Sequence, residues 1–169
     1  MDDVDPFFEM DSDPQVHKYL GTPPVRNKDQ IAETIRYVRQ QYIDNGIGRW
    51  AIVEKSTNQF IGWTGLKMVN YMMNNRTNYY DLGYRLIRKY WGHGFASETA
   101  WASLDYGFDK LNLNEIIATV NCENAASNTI AEKLGFTFCE TFYVQELKHN
   151  WYKINKNDWA AILKNKIRP

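Results

Sequence analysis

The sequence predicts an α+β, or mixed α/β, fold: a mixed central sheet flanked by helices, in a single domain spanning residues 1–169. Three observations predict it. The length of 169 residues is that of one domain and is enough to bury a core without disulfides or metal staples. The apolar spacing is helical near the start and then shortens to strand-like runs. In the last third, strand and helix signals alternate before a closing pair of strands.

The elements follow in order. Asp2, Asp3, Asp5, Glu9, Asp11 and Asp13 crowd the start, which reads as a solvated acidic helix or arm. Gly21-Thr22-Pro23-Pro24 is a loop, since prolines break helices and central strands. From Asp29, Ile31, Ile35, Val38 and Tyr42 share one helical face, and Asn45-Gly46 ends it. Arg49–Glu54 and Phe60–Met68 form a hairpin about Ser56–Gln59. Polar Asn70–Asn78 is a loop, and Tyr79–Ile87 a third strand. The turn Trp91-Gly92-His93-Gly94 opens a helix that buries Ala96, Ala100, Leu104 and Phe108. Glu115–Val120 is a β-branched strand, and Ala125–Leu134 a helix closed by Gly135. Phe136–Val144 and Leu147–Ile154 close the sheet. Asn157 or Asp158 caps a last helix bearing Trp159 and Leu163, with a basic tail of Lys164, Lys166 and Arg168.

Composition excludes several function classes. Twenty Lys+Arg balance twenty Asp+Glu, without the basic excess of a bulk nucleic-acid or membrane-surface binder. Cys122 and Cys139 make no disulfide framework, which implies a reducing compartment. No apolar run approaches the roughly 18 residues of a membrane span, and no signal peptide opens the chain, so a soluble cytoplasmic protein is expected. Aromatic residues reach 15%, enough for a ring-packed core or a ring-lined cleft. His17 and His149 have no metal-ligand spacing, and no metal site is expected.

The chemistry concentrates at Arg88-Lys89-Tyr90-Trp91-Gly92-His93-Gly94-Phe95-Ala96. Glycines between a strand and a helix start let the backbone approach a ligand closely. The N–H groups and positive dipole end of that helix favour an anion, and Arg88 and Lys89 add positive charge. A pyrophosphate fits. A P-loop is excluded because no Gly-Lys-Ser/Thr follows, and a dinucleotide fingerprint because Ser97 replaces its third glycine.

Lys89 to Ala100 resembles the acetyl-CoA pyrophosphate loop of the GNAT superfamily of N-acetyltransferases, with Lys89 where Arg or Gln is usual. Its flavour is similar to that of the RimJ/RimL-like branch, which acetylates protein N-terminal amines among other substrates. Asn121–Ser127 followed by Lys133-Leu134-Gly135-Phe136 resembles a second block of that branch, and Asp81-Leu82-Gly83-Tyr84 a third. The resemblance runs from about Asp3 to about Trp159.

The resemblance implies that Tyr79–Ile87 and Glu115–Val120 splay apart around the pantetheine arm of acetyl-CoA. Backbone groups of Tyr84, Arg85 and Leu86 would meet that arm. Trp91, Gly92, His93, Gly94, Phe95 and Ala96, with Lys89, would cradle the pyrophosphate. Asn124 would bond the pantetheine side and Lys133 a CoA phosphate. Ser127 is the expected general acid, with a second reading as a helix-start cap. Asp81 is the first candidate base, on the same strand face as Gly83, and a carboxylate merely paired with Arg85 is its bland reading. Glu140 is the second. His93 is expected to face solvent, and Cys122 to be a small apolar residue. Trp50, Trp63, Tyr71, Tyr79 and Tyr80 are candidates for an acceptor cleft.

The implied activity is acetyl transfer to a primary amine by direct attack in a ternary complex. The acceptor is a peptide N-terminus or a small amine such as a polyamine, amino acid or antibiotic; a silent acyl-CoA-binding module is the rival. No nucleic acid or membrane partner is expected, and a homodimer fits an exposed edge at Arg49–Glu54. The family's usual opening strand is missing, because Met1–Phe8 already resembles the helix start that follows it. Either the chain as given begins after that strand or the protein lacks it.

Overall fold

A computed structural model describes residues 3–165. Asp2 of the acidic start and Lys166 and Arg168 of the basic tail lie outside the described residues. The first elements are helices: α1 (Val4–Asp11), α2 (Pro14–His17) and α3 (Lys28–Asn45). Asn27 and Gln30 form a capping box at the start of α3, and Gly46, at φ 71°, closes it. Among the described residues no strand precedes β1 (Trp50–Glu54). It is followed by β2 (Gln59–Val69), β3 (Tyr79–Leu86), a 3-10 turn at Arg88–Tyr90 and α4 (Phe95–Asp109). Then come β4 (Glu115–Asn121), α5 (Ala125–Lys133), β5 (Thr137–Val144), β6 (Leu147–Asn155) and α6 (Lys156–Asn165).

Among the described residues the strands form one six-stranded sheet in the order β1-β2-β3-β4-β6-β5. β1 is an edge strand, as the reading of a missing opening strand implied. Every neighbouring pair is antiparallel except β3 and β4. β2 and β3 stay in register from Gly62↔Leu86 to Val69↔Tyr79, whereas β3 and β4 share only Asp81↔Ile117. Beyond that point the two parallel strands separate, and the gap positions the site.

Alternation along the strands divides the core. Leu66, Leu82, Ile116, Ala118 and Ile154 face Ala100, Leu104, Phe108, Ala131 and Trp159 of α4, α5 and α6. On the other face Phe60 and Ile87 meet Phe7, Met10, Val16 and Ile31 of the first three helices. Val69, Tyr79, Ile117 and Trp151 continue that face towards β6. Much of the aromatic excess is packed core: Trp101 and Trp159 lie 4.5 Å apart by ring centroids, and Tyr79 and Trp151 5.1 Å.

Two local readings shift. α6 starts at Lys156, so Asp158 lies inside its first turn and accepts from the Asn155 N–H at 3.4 Å instead of capping the helix itself. The acidic start is not simply solvated. Lys89 pairs with Glu9 (3.0 Å), Arg85 with Asp11 (2.7 Å) and Arg88 with Asp13 (2.9 Å), tying α1 and the α1–α2 junction to β3 and the turn after it. No helix among the described residues is long and apolar enough to cross a membrane.

Candidate active site

The site is built from the two strand ends that separate and the helices that follow them. Ile87 donates its N–H to Ile61 O at 3.0 Å, so its backbone faces β2. Backbone direction alternates along a strand. Arg85 therefore also faces β2, in register with Trp63, while Tyr84 and Leu86 face the gap. The Leu86 carbonyl already accepts from Trp91 Nε1 at 2.9 Å. Of the three residues expected to meet the pantetheine arm, Tyr84 keeps an uncommitted edge, and Arg85 is turned away.

The loop after β3 matches its expectation in shape. Gly92 (φ 77°) and Gly94 (φ 87°) take left-handed conformations, and a Cβ on either would meet nothing within 4 Å. Gly94 is the N-cap of α4, and no side chain accepts from the first N–H groups of that helix. His93 is exposed and bonds the Trp91 carbonyl at 2.9 Å, which is a loop contact. Phe95 packs on Tyr90, with ring centroids 6.2 Å apart. An open, uncapped helix start with two glycines before it is a cradle for a pyrophosphate. Its cations are not free, since Lys89 and Arg88 hold Glu9 and Asp13. The Glu9 hydrogen bond holds the Lys89 ammonium above its ordinary pKa. Lys133 is exposed in the last turn of α5.

A cavity of about 280 Å³ passes through the gap. On the α5 side it is lined by Tyr84, Ala118, Val120, Asn124 and Ser127; on the opposite side by Lys67, Tyr71, Tyr79, Asp81 and Thr119. Asn124 caps α5, its Oδ1 accepting from the Ser127 N–H at 3.2 Å. That leaves the amide nitrogen as the donor of the Asn124 side chain. Tyr84 and Ser127 line the same wall of the cavity; burial raises the pKa of the Tyr84 hydroxyl, and the Ser127 side chain opposes that shift. Tyr84 is therefore a neutral hydroxyl beside Ser127 at neutral pH.

Asp81 lines the cavity from the other face. Its partner is Arg49, at 2.5 Å, and not Arg85. Arg49 also donates to the carbonyls of Gly65 and Asp81. Burial lowers the Arg49 pKa, and Asp81 opposes that shift. Glu140 is not brought to the cavity: it is exposed on β5 and accepts from Asn74 at 2.9 Å. Of the aromatic candidates, Tyr71 and Tyr79 line this cavity. Trp50 and Trp63 line a second one of about 510 Å³ under α1 and α3. Tyr80 packs against the opposite core. Cys122 donates to Asn150 Oδ1 at 3.1 Å. Among the described residues no three His, Cys, Asp or Glu side chains gather as a metal site.

Sequence reasoning passed over two residues. Asn128 donates to the carbonyls of Asn121 (3.0 Å) and Asn124 (2.8 Å) and accepts from Asn150 (2.8 Å) and Tyr152 (2.9 Å), which locks α5 over the gap. Its only sequence signal is its place in the run Asn124–Asn128. Arg49, which fixes Asp81, gave no signal beyond its place at a strand start.

A family model described as an acetyltransferase (GNAT) domain matches residues 1–137. An uncharacterised N-acetyltransferase named p20, from Bacillus licheniformis, is 35% identical over 136 residues, covering 80% of this chain and 74% of that protein. A GNAT-family acetyltransferase structure from Bacillus anthracis superposes with a TM-score of 0.76 at 24% identity, over 92% of this chain and 90% of that one. A spermidine N-acetyltransferase from Vibrio cholerae, solved with CoA and spermine, superposes with a TM-score of 0.75 at 20% identity, over 94% and 92%. These two share the fold. Taken with the glycine cradle and the cavity through the gap, the family match places this chain among the GNAT acetyltransferases.

Proposed function

We propose that this acetyltransferase moves an acetyl group from acetyl-CoA to a primary amine by direct attack within the cavity between β3 and β4. One observation carries the reading: that cavity passes from the Ser127 side of the sheet to the Asp81 side through the gap. Donor and acceptor can then meet in line from opposite faces.

Acetyl-CoA supplies an activated thioester. The chain's own groups fit it. The N–H groups at the start of α4, with Gly92 and Gly94, hold the pyrophosphate. The backbone of Tyr84 and the amide nitrogen of Asn124 flank the pantetheine arm. Ser127 Oγ, on the cavity wall, would supply the proton for the departing thiolate. Asp81, held by Arg49, takes the amine proton through water at its carboxylate. The RimJ/RimL-like pattern of the loop supports a peptide N-terminus as acceptor. The walls at the acceptor end, Tyr19, Leu20, Tyr71 and Met73, favour a small amine instead. We take the small amine as the reading the geometry supports better.

The test is calorimetric acetyl-CoA binding followed by CoA-thiol release against a panel of amines and peptides, with mass spectrometry to locate the acetyl group. Thiol release with an acetylated amine is the expected result. Tight binding with no release from any acceptor would make the chain a silent acyl-CoA-binding module.

A further inference from the structure

Of the two charged residues that line the first cavity, Asp81 is held by Arg49. Lys67 differs. It is half-buried on β2, directly across the ladder from Asp81, and lines both cavities. Yet the Asp81 carboxylate turns to Arg49, and among the described residues Lys67 makes no ion pair. The neighbour recorded for its ammonium is the Tyr71 ring, 5.9 Å from the centroid.

Two more polar groups on this side are unsatisfied. Tyr79 is 4% exposed and its hydroxyl has no hydrogen-bond partner; Thr119 is half-buried, and its shielded Oγ1 is unpartnered too. Both residues line the first cavity. Buried hydroxyls without partners are rare in folded proteins and call for a ligand or water. Burial, with Asp81 and Tyr71 nearby, raises the Tyr79 pKa, so this hydroxyl is a donor at neutral pH. The acceptor end therefore presents an ammonium and two hydroxyls, and its one carboxylate is already paired. This is the complement of an anion. A polyamine, cationic at each nitrogen, would meet Lys67 with like charge.

On the acetyl-transfer reading above, we infer that the acceptor is an amine that also carries a carboxylate, and that Lys67 receives that carboxylate while the amine lies towards Asp81. Lys67 is then the specificity-determining residue, and the class is that of amino-acid-like acceptors. A charge-assisted pair in a half-buried site corresponds to roughly tenfold discrimination.

Matched pairs test this: amino acids against their amides, with a diamine of equal length, each measured by CoA-thiol release. The same compounds are measured by calorimetric binding to the CoA-loaded protein, which does not depend on turnover. The carboxylate member should be favoured about tenfold in both measurements. Lys67→Met should bring the ratio of acid to amide close to one through KM, and Lys67→Arg should restore it. An amide or diamine that binds as well as the acid in the unaltered protein would overturn the inference, as would a preference that survives Lys67→Met. Failure to bind acetyl-CoA is a separate outcome and would overturn the acetyl-transfer reading itself.

Discussion

α4 and α5 both begin where the sheet opens, one after β3 and the other after β4, and they begin differently. α4 starts at Gly94 in a left-handed conformation, with no side chain on its first N–H groups. α5 starts at Asn124, whose side-chain Oδ1 accepts from the Ser127 N–H, and Asn128 then ties that helix to β4 and β6. An uncapped helix start leaves donors for a bound anion. A capped one gives up that role and gains a fixed first turn, which suits side chains that must be aimed. On the proposed reading, that difference suits α4 to phosphate binding and α5 to proton transfer.

Ser127→Ala should have the largest effect. Removing a general acid costs about 100-fold or more in rate. On the assignment above, kcat falls by that amount while calorimetric acetyl-CoA affinity stays within a few-fold. A variant with undiminished kcat would leave Ser127 as part of the helix cap alone.

The glycine at α4 gives the next largest effect, and the asparagine at α5 is its contrast. Gly94→Val forces a β-branched residue to φ 87°, at a cost of about 1–2 kcal/mol, and puts a side chain in the cradle. Acetyl-CoA affinity should fall about tenfold or more. Asn124→Ala should cost about 1 kcal/mol in urea unfolding and change acetyl-CoA affinity less than Gly94→Val does. Equal losses of affinity in the two variants would erase the distinction between the helix starts.

The same contrast explains what was legible in the sequence. The α4 start is contiguous, glycine for glycine, so Trp91–Ala96 could be read directly as an anion loop. The order and type of the strands were legible because apolar spacing is local. The partners of charged groups were not. Asp11 and Arg85 are 74 residues apart, Glu9 and Lys89 80, so the acidic start looked solvated and the cations looked free. Asp81 was found by strand alternation, which gives the face of a side chain and not its partner; Arg49 lies 32 residues away. Glu140 lies on the strand after Gly135-Phe136, and its exposed place on β5 carries it out of the cavity.

Alkaline pH separates the two helix starts by a smaller amount. The Tyr152 hydroxyl donates to Asn128 of α5, and Tyr84 lines the cavity with Ser127; burial raises both pKa values above the ordinary 10.0. A group whose pKa is higher in the folded state contributes fully below its unfolded value. That contribution is lost as pH rises towards the folded value. Stability should therefore fall as pH rises above 10.0, through the window between the unfolded and folded pKa of each tyrosine. Urea unfolding between pH 8 and 11 should show a shallower decline for Tyr84→Phe. An unchanged slope would mean that Tyr84 titrates alike in the folded and unfolded chain.

The smallest effect tests whether the acidic helix competes with the phosphate or only positions its cation. Glu9 and Lys89 are 3.0 Å apart and both more than half exposed, so the pair itself adds at most about 1 kcal/mol to stability. Glu9→Gln should leave the unfolding midpoint almost unchanged. If Glu9 competes, freeing Lys89 raises acetyl-CoA affinity about two- to threefold at low salt, and the gain vanishes at high ionic strength, where exposed charges are screened. If Glu9 instead holds Lys89 over the loop, the same substitution weakens binding, and Lys89→Ala weakens it to the same extent. The sign of the change in Kd at low salt distinguishes the two roles. A loss would mean that the uncapped start of α4 depends on α1 to place its nearest cation.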